Sequence, residues 1–187
     1  MTDKPALRAQ LRLRRRELST THPDAADRVA AHLPVETLGE VRVVSGYQPM
    51  GGELDPWPLL RRFAQAGARI ALPVAISRHD PLIFRLFKVG DPLERDAVGI
   101  EAPIADASEV TPDLLIVPLL GFDRHGNRLG QGAGHYDRTL SALRAAGKVW
   151  AIGLAYAGQL IDELPSEPHD ERLDAILTET GYHVVGS

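Results

Sequence analysis

The stretch Asp113-Leu114-Leu115-Ile116-Val117 decides the fold. Continuous in aliphatic residues, it reads as a strand buried on both faces, as the centre of a parallel sheet requires. Working outward, residues 41–47, 69–74, 81–87 and 149–154 read as further strands, and 175–178 and 183–185 as short ones near the end. Helical patterns lie between them. Asp3 and Pro5 open the first, with Leu7, Leu11 and Leu18 on one face and Arg8, Arg12, Arg15 and Arg16 crowding the others. A second is expected over 23–33, a third over 57–66 stopped by Gly67, and a fourth over 136–146. Residues 91–112 read mainly as loop or short edge structure, and 162–173 as an irregular segment. Strands alternating with helices imply an α/β fold, a mainly parallel sheet covered on both faces in a single domain over 1–187. In such folds ligands gather beyond the carboxyl ends of the strands, which directs attention to the segment after Val117.

Composition narrows the function classes. The chain has 187 residues, 44% hydrophobic and 25% charged, ordinary values for a folded globular protein. A net charge of -4 and a pI near 6.0 supply no global field to hold nucleic acid. The longest apolar stretch, 114–122, is broken by Pro118 and Gly121 and is too short for a membrane span. Met1 to Pro5 leads straight into a charged amphipathic segment with no apolar signal region, so a cytoplasmic location is expected. The absence of cysteine excludes disulfides, thiol catalysis and thiolate metal sites. No exposed apolar stripe stands out, and a monomer is expected.

After Val117 the chain reads Pro118-Leu-Leu-Gly-Phe-Asp-Arg-His-Gly-Asn-Arg-Leu-Gly-Gln-Gly-Ala-Gly-His-Tyr-Asp-Arg138. A connection this long, without structure of its own, is usually functional. Gly126, Gly130, Gly132 and Gly134 allow positive φ and close approach of backbone to a ligand. Successive N–H groups in such a loop form an anion nest, and the following helix adds the positive end of its dipole. Arg128 offers a charged fork for phosphate oxygens. Asp137 repels phosphate unless a magnesium ion lies between them. In the plainer alternative, the glycines build a tight loop and Asp137 caps the helix. There is no Gly-Lys-Ser/Thr, and the glycine spacing gives no dinucleotide fingerprint. The residues by themselves stop at a phosphate or nucleotide site with a divalent metal.

The run GFDRHGNRLGQGAGHYDR (121–138) closely resembles the signature of the 5-formyltetrahydrofolate cyclo-ligases, also called methenyltetrahydrofolate synthetases. The resemblance extends to Lys4-x-x-x-Arg8, to Gly52-Glu53-Leu54-Asp55 and to Pro168-His169-Asp170. It implies a three-layer α/β/α sandwich, ATP as cosubstrate, Mg2+ as cofactor and 5-formyltetrahydrofolate as substrate, with no nucleic-acid or membrane partner. On that resemblance Lys4 and Arg8, sharing a helix face, contribute to the ATP site. Arg128, Leu129, Gly130, Gln131, Gly132, Ala133, Gly134, His135 and Tyr136 wrap its phosphates. Asp137 binds magnesium, with Asp170 the second acidic residue near the metal. Glu53 belongs to the folate site, whose pocket Tyr47, Gln48, Met50, His135 and Tyr136 also line. Arg128, Tyr136 and Asp137 are the expected catalytic residues.

Other residues keep plainer assignments. Arg12, Arg14, Arg15 and Arg16 are assigned to a solvated basic face, and Trp57 and Phe84 to the core. His169 and Asp170 are otherwise turn residues after Pro168. The chain departs from the common motif at His135, where Tyr or Phe is usual, and at Ala133, where Gly or Lys is. An imidazole still stacks, so His135 is expected to keep the aromatic platform role. His125 and His135 lack the further ligands of a zinc site. Two other functions stand beside the cyclo-ligase: a non-catalytic nucleotide- or folate-binding paralogue, and a phosphosugar isomerase or acyl-transferase on a similar fold.

Overall fold

The computed structural model describes residues 4–35 and 38–186; the expected Asp3 cap lies outside the described residues. In chain order the first elements are α1 (Lys4–Thr21), α2 (Ala25–His32), β1 (Val43–Ser45), α3 (Trp57–Gln65), β2 (Arg69–Val74) and β3 (Ile83–Leu86). Next come β4 (Leu93–Arg95), β5 (Glu101–Pro103), β6 (Leu114–Pro118), β7 (Gly121–Phe122) and β8 (Arg128–Leu129). The chain ends with α4 (His135–Ala146), β9 (Trp150–Leu154), β10 (Ala175–Thr178) and β11 (Gly181–Val184). Seven strands form the main sheet in the order β11-β10-β9-β6-β1-β2-β3, with the aliphatic strand β6 in the middle. The five inner strands are parallel, and β3 and β11 pair antiparallel at the edges.

Alternation along β6 explains its composition, because successive side chains point to opposite faces. Leu114 and Ile116 join Ile152, Leu154 and Leu177 against Val29 of α2 and Leu59, Leu60 and Phe63 of α3. Leu115 and Val117 join Ala151 and Ile176 against Leu140 of α4. The result is the expected three-layer α/β/α sandwich. A smaller cluster, Leu11, Leu120, Leu129 and Leu164, seats α1 on the segment after β6.

That segment corrects one expectation. It is not structureless: β7 and β8 pair antiparallel, Gly121 with Leu129 and Phe122 with Arg128. The organiser is Asp123, fully buried. Its Oδ1 accepts the N–H groups of His125 and Asn127, and its Oδ2 those of the Asn127 amide and Leu164. Gly126, at φ 80°, completes the turn where a Cβ would lie 2.7 Å from the Leu173 carbonyl oxygen. Asp123→Ala strands these donors and is expected to cost about 2 kcal/mol, read as a lower urea midpoint with an unchanged m value. Two smaller differences are that 91–112 contains the β4–β5 hairpin and that the last strand begins at Gly181.

Candidate active site

The loops that leave β1 and β6 meet at the carboxyl end of the sheet, and α1 lies across them. Lys4, Arg8, Arg12 and Arg15 recur at steps of four, four and three, so they form one ridge. Lys4 Nζ is 3.0 Å from Glu167 and 3.4 Å from Asp170. Arg8 Nε donates to the Gly130 carbonyl at 3.1 Å. Arg12 donates to the side-chain and backbone oxygens of Gln131 at 3.0 and 3.4 Å. Arg15 donates to Glu53 Oε1 at 3.2 Å and to the carbonyls of Leu119, Met50 and Gly51.

Arg15 therefore does not belong to a solvated face; Arg12 is half-buried with both of its bonds to Gln131 exposed, and Arg14 and Arg16 are exposed as expected. Arg15 is only 3% exposed. It sits four residues after Leu11 and three before Leu18, inside the apolar stripe, where a charge persists only with partners. A cation interrupting a leucine stripe was the readable signal for it.

The glycine segment after β8 turns on two positions. Gly132 has φ 108°, and a Cβ there would lie 3.3 Å from Arg8 Cζ. Gly134, at φ 69°, caps α4, and no side chain does so. Asp137 is thus not a helix cap. Its Oδ1 lies 2.7 Å from Arg128 Nη2 and also accepts the Glu171 N–H at 3.1 Å. Among the described residues no group bonds its Oδ2. Arg128 is 5% exposed, its Nε finds no hydrogen-bond partner among the described residues, and its guanidinium carbon stands 5.8 Å from the centre of the Tyr136 ring. Burial, helped by the charge of Glu53 and opposed by Arg128, pushes the Tyr136 phenol far up, so it remains a proton donor at neutral pH.

On the other side, Met50–Glu53 is a tight turn with Gly51 and Gly52 at φ 55° and 80°. It aims Glu53 back at its own start, where Oε2 accepts the Met50 N–H at 3.0 Å. Tyr47 is buried, with its hydroxyl donating to the Leu54 carbonyl, and the Gln48 side chain accepts from Trp57 Nε1. His135 Nε2 lies 3.1 Å from the Ser77 carbonyl, which ties the ring to the loop after β2. Asp170 gathers with Glu167 and His169, their ligand atoms within 4.8 Å of one another. Hard carboxylate oxygens of this kind suit magnesium, which is commonly held by one or two carboxylates together with substrate phosphates.

Residues 1–179 match the model of the 5-formyltetrahydrofolate cyclo-ligase family. The chain belongs to that family. The 5-formyltetrahydrofolate cyclo-ligase of Escherichia coli K12 is 35% identical over 178 residues, covering 90% of this chain and 96% of the relative. That of Mycolicibacterium smegmatis is 37% identical over 147 residues, 73% of each chain. The 5,10-methenyltetrahydrofolate synthetase of Aquifex aeolicus superposes with a TM-score of 0.77 at 26% identity, over 98% of this chain and 93% of its own. The synthetase of Mycoplasma pneumoniae gives 0.74 at 26% identity, over 95% and 99%. As a member of the cyclo-ligase family the chain is an enzyme, and no helix among its described residues is long and apolar enough to cross a membrane.

Within this cyclo-ligase fold, Glu53 has an electrostatic signature. Burial raises its pKa above the ordinary glutamate value, with Arg15 the largest opposing influence. A raised folded pKa means that the native state holds the proton more tightly than the unfolded chain. Glu53 therefore contributes stability in acid, and that contribution is lost as pH rises through its folded pKa. Carboxyl carbon NMR is expected to find its midpoint above 4.5, and higher still in Arg15→Met. An ordinary midpoint in both proteins would show that Glu53 is solvated.

Proposed function

We propose that this chain converts 5-formyltetrahydrofolate to 5,10-methenyltetrahydrofolate, with ATP as cosubstrate, Mg2+ as cofactor, and ADP and phosphate as by-products. One observation carries the reading. The Arg128 guanidinium, suited to phosphate, stands 5.8 Å from the centre of the Tyr136 ring, and the same phenol feels the charge of Glu53, an acid suited to a pterin. Two substrates that must exchange a phosphoryl group need such adjoining sites.

The chemistry explains the need. A formamide oxygen is a poor leaving group. The formyl oxygen therefore attacks the γ-phosphorus, the bond to the bridging oxygen of ADP breaks, and ADP departs. N10 then adds to the activated carbon and loses its proton. The carbon–oxygen bond breaks, phosphate leaves, and the five-membered ring is closed. Little covalent work falls to the protein, whose part is positioning and charge neutralisation.

This residue set suits that part. Lys4, Arg8 and the loop Arg128–Tyr136 receive the triphosphate, with Gly132 and Gly134 keeping side chains out of the path of the backbone. Arg128 bears on the transferring group. Tyr136, protonated at working pH, donates a hydrogen bond to an oxygen there. Glu53 accepts from the amino and ring N–H groups of the pterin, beside Gln48, Met50 and His135. Asp137 and Asp170 would hold the magnesium ion, which supplies neutralisation of phosphate charge when bound. The exposed large apolar residues Leu13, Met50, Ile76, Val89, Trp150 and Val184 are scattered over separate segments, which supports a monomer.

The test is absorbance in the methenyl-folate band after mixing protein, 5-formyltetrahydrofolate, ATP and Mg2+. The band is expected to grow only in the complete mixture. A flat trace from folded protein that still binds ATP would point to a non-catalytic paralogue.

A further inference from the structure

We infer that Arg15 is a positioning residue for the folate site, holding Glu53 and the Met50–Gly51 carbonyls in their binding arrangement. The inference rests on the reading of Glu53 as a folate-binding acid, and goes beyond it by naming what holds that acid. Three observations carry it.

The first is the cost of Arg15's place. A guanidinium 3% exposed within the leucine stripe of α1 is a poor choice for stability alone, since an apolar residue would fill the same stripe without desolvating a charge. The second is where its donors go. Nη1 bridges Glu53 Oε1 and the Leu119 carbonyl at 3.2 Å each, and Nη2 reaches the Met50 and Gly51 carbonyls at 3.4 and 3.1 Å. One planar fork thus ties the turn after β1 to the exit of β6, a geometry that a lysine ammonium does not reproduce. The third is what remains of Glu53. Its Oε1 is taken by Arg15 and its Oε2 by the Met50 N–H, so the carboxylate is held from both ends. Each oxygen keeps lone pairs for a ligand. The charge of Glu53 is also felt at the Tyr136 phenol, whose pKa it helps to raise.

The test compares Arg15→Lys, Arg15→Gln, Glu53→Gln and the Arg15→Lys/Glu53→Gln double variant, each assayed well below its own melting temperature. The KM for 5-formyltetrahydrofolate is expected to rise at least tenfold in both Arg15 variants, with the KM for ATP within about threefold of wild type. In the Glu53→Gln background, Arg15→Lys should add less than threefold, because the group it positions is gone. The acid limb of kcat/KM for the folate should also move to higher pH in Arg15→Gln. Variants with lowered melting temperature but unchanged folate KM and pH profile would make Arg15 purely structural and overturn the inference. Failure of the underlying reading looks different: Glu53→Gln would itself leave folate KM unchanged. If the Arg15 variants do not fold, the buried Arg15 Nη–H resonances of the wild-type protein decide. They should shift on adding 5-formyltetrahydrofolate, and no shift on saturation would overturn the inference.

Discussion

Arg128→Lys is expected to lower kcat about a thousandfold while changing the KM for ATP only a few-fold. Loss of a cation aimed at a transferring phosphoryl group costs roughly a hundred- to a hundred-thousandfold in turnover. Lysine keeps the charge but loses the planar fork, which here holds Asp137 at 2.7 Å and stacks on Tyr136. Two deficits would combine in that variant. The ammonium reaches one oxygen at a time, and Asp137 loses its 2.7 Å guanidinium partner, keeping the Glu171 N–H. Single-turnover measurements with saturating ATP isolate the chemical step. Partial rescue of Arg128→Ala by added guanidinium would attribute the loss to the missing fork rather than to a distorted loop. Turnover within tenfold of wild type in Arg128→Lys would remove Arg128 from the transfer step.

The largest expected effect on stability belongs to Arg15→Met, at about 3–5 kcal/mol. Methionine fills the leucine stripe and carries no donor. Glu53, its side chain 11% exposed, would then keep its charge without a cation against it, with the Met50 N–H and the Gln131 side chain as neutral partners, and the Leu119, Met50 and Gly51 carbonyls would each lose one donor. For a chain of this length the corresponding fall in melting temperature is about 6–20 °C. Adding Glu53→Gln should return part of it, because the uncompensated charge disappears. A fall below 2 °C, or no recovery in the double variant, would show that Glu53 finds another cation when Arg15 is gone. Both outcomes are read by thermal or urea unfolding without substrate.

Much of the architecture was legible because it depends on local composition. The aliphatic run 113–117 needed both faces covered, and β6 lies in the centre of the sheet between α2–α3 and α4. Gly67 stops α3 by permitting φ 97°. The boundaries of β1 and β3 were less legible. Residues at their ends, such as Tyr47 and Phe87, are buried like strand residues, but they belong to the loops beyond, where the Tyr47 hydroxyl bonds to Leu54 and Phe87 packs tilted against Trp57. The hairpin β7–β8 was hidden for another reason. Its pairing is short, and it is held by one buried aspartate whose role depends on Leu164, 41 positions away.

By itself the sequence determined the α/β layering, the glycine-rich turn after the central strand, and the pairing of Lys4 and Arg8 on one helix face. These rest on periods of two and 3.6 residues and on glycine's access to positive φ, which are properties of neighbouring residues. Only the tertiary structure decided which cations of α1 face the site and what each acid meets. Arg15 and Glu53 are 38 positions apart, and Lys4 and Asp170 are 166 apart. Helical spacing says that Arg15 lies among leucines; it does not say that the turn after β1 and the exit of β6 will present oxygens there. Charges in a buried site are stable only where partners converge, and convergence over such separations belongs to the folded chain alone.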